Sequence, residues 1–253
     1  MRIIILTQNE TMFLPSAIEY FIRRKPEYVT IVGSLILSPS PFGEAKSFIG
    51  KFINTINIFG FKFTLIYGIN YLYKKIFKLD VFSTMKKFNI PIIKVNNSIN
   101  SEEYLKKISK LKPDLIISIT GNQIFKKPLL NIPQNGILNL HTSLLPKYRG
   151  LMPTFWALKN KEKETGVSVF FVDEGIDSGP ILVQKKIKLG NITQWNLIKI
   201  TKFLGIEAII EGINIIKSSN IKTIENNNKL SSYFSFPSRK DVMDFKMKGG
   251  KFF

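Results

Sequence analysis

Gly136-Ile-Leu-Asn-Leu-His-Thr-Ser-Leu-Leu-Pro-Lys-Tyr-Arg-Gly150 is the stretch from which the fold is read. Ile137 to Leu140 reads as a buried strand, and the Ser, Pro and Gly that follow punctuate a loop at its carboxyl end. Asn139 and His141 are two residues apart, so on a pleated strand their side chains share a face. Downstream, Val167 to Val172 is a second apolar, β-branched run that leads into Asp173-Glu-Gly-Ile-Asp177-Ser-Gly-Pro180. A carboxylate on another strand-ending loop can then converge with an amide and an imidazole.

His141 is the one His in 253 residues, hence the single ordinary side chain ready to accept a proton near neutral pH. The Asn139 amide can donate to an oxygen that becomes negative when an amine attacks a carbonyl, with no change in the enzyme's own charge. Asp177 can orient or charge-stabilise the imidazole, or relay a proton through water. Together the three suit acyl transfer through a tetrahedral intermediate without a Ser or Cys nucleophile. Spacing alone is a weak signal, because a lone His near a strand end is more often a hydrogen-bonded structural residue than a catalyst.

Outward from this stretch the chain alternates strand and helix. Residues 2–7 and 28–38 read as buried strands separated by an amphipathic helix from Leu14 to Arg24. Ile90 to Val95, Glu102 to Leu111 and Asp114 to Ile119 resume the same pattern, with Lys112-Pro113-Asp114 as the helix stop. This predicts an α/β fold, a mostly parallel twisted sheet flanked by helices. Ligands in such sheets bind at the carboxyl ends of strands, so Asn9 and Glu10 after the first strand are candidate substrate contacts, with helix capping by Asn9 as the equal alternative. No GxGxxG or Walker sequence follows that strand, and nothing supports a dinucleotide or ATP.

Composition narrows the chemistry. Zero Cys excludes disulfides, thiolate metal sites and a Cys nucleophile, and one His leaves no His cluster for zinc, so no metal is expected. The first residues are apolar for too few positions to form a secretory h-region, and a reducing cytoplasm fits. A net charge of +19 raises nucleic acid as a partner, but the excess is scattered Lys without a dense basic run, and nucleic acid ranks last behind a solvated basic surface and attraction of anionic substrates. After Pro39-Ser-Pro-Phe-Gly43, residues 48–77 are rich in Phe, Ile and Tyr yet broken by Lys, Asn and Gly, too interrupted for a transmembrane helix. Contact with a membrane surface is one reading of this stretch. A helical insertion packed on the sheet is the favoured one, because scattered Asn and Gly make the apolar stripe uneven. Near the His loop, Pro153 to Lys159 starts a short helix with Trp156 in the core, and Tyr148 and Arg149 are exposed-loop candidates for an anionic or sugar-bearing acceptor. Thr193 to Lys217 is a long core-covering helix.

The linked motifs Asn139-Leu-His-Thr-Ser-Leu-Leu-Pro-Lys-Tyr-Arg-Gly150 and Asp173-Glu-Gly-Ile-Asp-Ser-Gly-Pro-Ile-Leu182 resemble the formyltransferase family, which includes glycinamide ribonucleotide, methionyl-tRNA and amino-sugar formyltransferases. The resemblance is strong over residues 114–188. It implies a Rossmann-like core, 10-formyltetrahydrofolate as donor and Asn139, His141 and Asp177 as the catalytic triad. It also implies a folate pocket lined by Asn122, Gln123 and Ile124, by Ser143, Leu144, Leu145 and Pro146, and by Asp173, Glu174, Gly175 and Ile176. We therefore expect residues 1–190 to form the catalytic domain, with a helical insertion about 44–80, and 191–253 a C-terminal helix and short extension.

Within the family, the tRNA enzymes carry a C-terminal barrel for which little sequence follows the catalytic segment here. The glycinamide ribonucleotide enzymes lack an insertion like 44–80 and have a phosphate-binding glycine pattern that Thr7-Gln-Asn-Glu10 does not show. The expected reaction is formyl transfer to the amine of a nucleotide-linked amino sugar for cell-surface polysaccharide. A methionyl-tRNA enzyme without the barrel and a non-catalytic binding module of a polysaccharide pathway are the alternatives. A homodimer stays open.

Overall fold

Ile3, Ile4, Ile5 and Leu6 are fully buried in succession, which a strand achieves only with both faces covered. The computed structural model, which describes residues 1–38 and 48–253, sets them in β1 (Arg2–Gln8), followed by α1 (Leu14–Arg24) and β2 (Thr30–Leu37). Next come α2 (Phe48–Phe59), α3 (Phe61–Ile76), α4 (Val81–Lys87), β3 (Ile92–Val95), α5 (Glu102–Lys110), β4 (Leu115–Ile119) and α6 (Lys127–Leu130). The chain continues through β5 (Ile137–His141), β6 (Arg149–Gly150), α7 (Pro153–Lys159), β7 (Glu164–Phe171), β8 (Ile181–Lys188), α8 (Gln194–Lys217), β9 (Tyr233–Phe234) and α9 (Arg239–Met247).

The main sheet runs β3-β2-β1-β4-β5-β7-β8. Its first five strands are parallel, and β7 and β8 return antiparallel as a hairpin beside β5. Alternate residues of β1 enter opposite layers, as a two-residue period requires. Ile3 and Ile5 pack toward α1 and α8, while Ile4 and Leu6 pack toward α5 and α6. The strand order reverses between β1 and β4, and their carboxyl ends leave a crevice at that point.

Two regions differ from expectation. The insertion is a pair of helices, α2 and α3, turning at Gly60 with φ +88°, and its inner face packs on α9 and the tail rather than on the sheet. Phe59 and Phe63 join Phe155, Trp156, Phe245 and Phe252 in one aromatic cluster, and burying these rings outweighs the uneven spacing of the polar residues between them. Residues 39–47, including the Pro-rich break and the first positions of the expected insertion, lie outside the described residues. The Lys-rich tail forms α9, started by a capping box in which the Ser238 hydroxyl accepts from Asp241 N–H and the Asp241 carboxylate accepts from Ser238 N–H, worth about 1 kcal/mol.

Candidate active site

Leu138 and Leu140 of β5 face α8, so Asn139 and His141 take the other face, and both line a cavity of about 530 Å³ at the strand ends. The Asn139 amide makes no hydrogen bond to another described side chain and is available to a ligand. Ser118 lies beside Asn139 in the parallel register of β4 and β5. Its hydroxyl is buried and unpaired in the same cavity wall.

The His141 ring is 6% exposed and is oriented by the loop it introduces. Its Nε2 lies 2.7 Å from the Tyr148 carbonyl oxygen, which can only accept, so Nε2 carries the proton and Nδ1 keeps its lone pair. That Nδ1 faces Asp177 Oδ2 at 3.6 Å, beyond direct hydrogen bonding, so a proton passes between them only through a water or after a small approach. Asp177 has φ +49°, a conformation Asp tolerates better than most residues, and its Oδ2 accepts from Gly150 N–H at 2.8 Å.

A brace from the C-terminal segment holds the backbone that carries this carboxylate. Asn226 Nδ2 donates to the Asp177 and Gly179 carbonyls, both at 2.9 Å. Arg149 in turn donates to the Asn226 side-chain oxygen at 2.8 Å and to Asn228 Oδ1 at 2.8 Å. Arg149 and Gly150 pair with Tyr233 and Phe234 as the β6–β9 ribbon. A Cβ at Gly150 would stand 2.3 Å from the Phe234 carbonyl oxygen, and its φ is +92°, so only glycine fits.

Several expected contacts lie elsewhere. Tyr148 and Arg149 are buried rather than exposed. The Tyr148 hydroxyl donates to Glu162 at 2.7 Å and burial pushes it up to about 12, while the Arg149 guanidinium is committed to the 226–228 loop. Glu10 turns away to cap α1, its carboxylate accepting from the Met12, Phe13 and Leu14 N–H groups. Asn9 accepts from Phe82 N–H at 3.3 Å. Neither lines the cavity, and the capper is Glu10 because its longer side chain reaches the free N–H groups.

Ser143, Leu144, Leu145 and Pro146 also stand outside the lining. Ser143 is fully buried, its hydroxyl donating to the Lys147 carbonyl. Leu145 packs on Phe170 and Ile181, and its N–H donates to Ser168 Oγ. These residues shape the loop from behind. Glu174 points outward to Lys127 at 3.6 Å. Of the expected folate contacts, Asn122, Gln123, Ile124, Asp173, Gly175 and Ile176 do line the cavity.

The sequence reading missed Gln8, Met152, Tyr233, Phe236 and Lys202, all in the lining. Gln8 Nε2 donates to the Thr120 carbonyl at 2.6 Å and ties the crevice edges together. Tyr233 and Phe236 add aromatic side chains to the lining from the C-terminal segment. Lys202 of α8 is 8% exposed, and burial pushes its ammonium down to about 8, opposed by the nearby Glu10 carboxylate. A lysine on the buried stripe of a helix that otherwise reads as core is the signal that could have found it. No group of three or more His, Asp or Glu side chains among the described residues is arranged to hold a metal.

Residues 72–210 match the family described as formyl transferase. The methionyl-tRNA formyltransferase of Kosmotoga olearia is 32% identical over 179 residues, covering 70% of this chain and 57% of that protein. The chain spans about half the length of the curated relatives it matches. Among solved structures, an N-formyltransferase from Helicobacter canadensis, in complex with folinic acid and dTDP-3-aminofucose, is similar with a TM-score of 0.57 at 20% identity, covering 94% of this chain and 71% of that one. Glycinamide ribonucleotide transformylase 1 from Symbiobacterium toebii has a TM-score of 0.60 at 20% identity, covering 89% and 91%. At these identities the structural likenesses show the shared fold.

Proposed function

The chain belongs to the formyl transferase family, and from that premise we propose that it moves a formyl group from 10-formyltetrahydrofolate to the amine of a nucleotide-linked amino sugar. The observation that carries this reading is the convergence of Asn139, His141 and Asp177 on one cavity, whose volume is ordinary for a small-molecule site.

The uncharged amine attacks the formyl carbon, forming the new C–N bond, and the carbonyl oxygen becomes an oxyanion that takes a hydrogen bond from the Asn139 amide. The amine proton passes to His141 Nδ1, directly or through a water shared with Asp177, whose negative charge stabilises the imidazolium. Collapse of the intermediate breaks the bond to the folate nitrogen, which leaves with a proton returned from His141. The Tyr148 carbonyl keeps Nδ1 as the working nitrogen throughout.

Asn122, Gln123, Ile124 and the Asp173–Ile176 loop are the folate side of this reading, and the similar protein solved with folinic acid supports it. The aromatic Tyr233 and Phe236 in the lining suit contact with a nucleobase, and the neighbour solved with dTDP-3-aminofucose supports a nucleotide-sugar acceptor. A methionyl-tRNA acceptor is the second reading, favoured by the sequence relatives and by the basic net charge. Tetrahydrofolate release is measured with a panel of nucleotide-linked 3-amino and 4-amino sugars beside charged initiator tRNA. Release with one sugar, and a formyl mass increment on it, is expected. Activity on tRNA alone would replace the acceptor and keep the chemistry.

A further inference from the structure

The α2–α3 hairpin buries one face and leaves the other bare. On α3 the exposed residues Phe61, Leu65, Ile69, Leu72, Tyr73 and Ile76 recur at helical spacing, forming a stripe about 120° wide. On α2, Ile49, Phe52 and Ile53 are likewise exposed at helical spacing. Ile69 is 59% exposed and Ile76 73%. Isolated apolar side chains on a surface need no explanation, but a periodic stripe across two consecutive helices marks an interaction face.

Charge identifies what the face meets. From Phe48 to Leu79 the sequence has five lysines and no Asp or Glu. Lys62 and Lys75 lie exposed at the margins of the α3 stripe and Lys78 just beyond its end. A second copy of the chain would bring another acid-free, lysine-bearing face against the first, in a molecule already at +19. An anionic lipid surface instead accepts the apolar side chains below its headgroups and pairs the lysines with phosphate. No helix among the described residues is long and apolar enough to cross a membrane, so the geometry is that of helices lying in the interface. We propose that the exposed face of the α2–α3 hairpin docks this protein on an anionic lipid bilayer.

The test is co-sedimentation of the full chain with vesicles of phosphatidylcholine containing phosphatidylglycerol, and with vesicles of phosphatidylcholine alone. Binding to the anionic vesicles only, weakened by salt, is expected. The decisive variant is Leu65→Gln, Ile69→Gln and Leu72→Gln together, which leaves the net charge unchanged and alters only solvent-exposed positions. It should bind about tenfold more weakly with an unchanged circular dichroism spectrum. Undiminished binding would reduce the effect to adsorption of a basic protein and overturn the proposal. Failure of the wild type to bind, with sedimentation velocity showing a dimer that the variant dissociates, would assign the face to a second copy and overturn it equally.

Discussion

His141 has one ring nitrogen tied to the Tyr148 carbonyl and one directed at Asp177, so its replacement removes the proton acceptor without disturbing the folate side of the cavity. His141→Ala is expected to lower kcat about a thousandfold while leaving the dissociation constant for a folate analogue within about twofold, measured by calorimetry. Near-wild-type turnover would dismiss the triad. Lys202 makes a prediction of a different kind. Its folded value of about 8 lies below the ordinary 10.5, so between those limits the unfolded chain holds more protons and stability rises with pH. The penalty for a buried ammonium is fully present below about pH 8 and relieved toward 10.5, on the order of 3 kcal/mol in all. Lys202→Met should remove this rise, seen as a flatter denaturant midpoint against pH from 7 to 10.5 than for the wild type.

At the scale of elements, the candidate site depends on a ribbon far away in sequence. Arg149 and Asn226 hold the Asp177 loop through a chain of hydrogen bonds, and Asn226→Ala should cost about 1–3 kcal/mol of stability by removing one of the Arg149 guanidinium's acceptors and leaving the Asp177 and Gly179 carbonyls without their donor. Turnover should fall by more than folate affinity, because the backbone at Asp177 and Gly179 loses its support while the Asn122–Ile124 side of the cavity is untouched. Parallel steady-state and binding measurements check this. The α8–β5 contact is as close: a Cβ on Gly205 would stand 2.4 Å from Leu140 Cδ2. Gly205→Ala should therefore destabilise by about 1–3 kcal/mol, read from urea unfolding. The alternation of strand and helix is legible in the sequence because buried parallel strands are unbroken apolar runs, as in Ile3 to Leu6. Asn139 and His141 are legible because strand geometry puts them on one face whatever surrounds them. Asn226 is not, since in a run of three asparagines it reads as a turn, and only the pairing of β6 with β9 brings it to Arg149. Lys202 escapes for a related reason: helical periodicity marks its stripe as core, and nothing local says that the stripe ends at a cavity.

At the scale of the molecule, the tail joins the insertion to the core. Phe252 contacts Phe59, Phe63, Phe155 and Phe245, and Phe252→Ala should cost about 3–5 kcal/mol, detected as a lower denaturant midpoint. This arrangement also has a bearing on time. During synthesis the segments carrying Asn139, His141 and Asp177 emerge well before Asn226, Ser232 and Tyr233, yet the Asp177 backbone and the Tyr148–Gly150 segment complete their hydrogen bonding only with those later residues. With chain elongation at about 5–20 residues per second, seconds separate Asn139 from the last residue that supports this loop. A nascent or prematurely terminated chain thus carries Asn139, His141 and Asp177 without the hydrogen bonds that set their geometry.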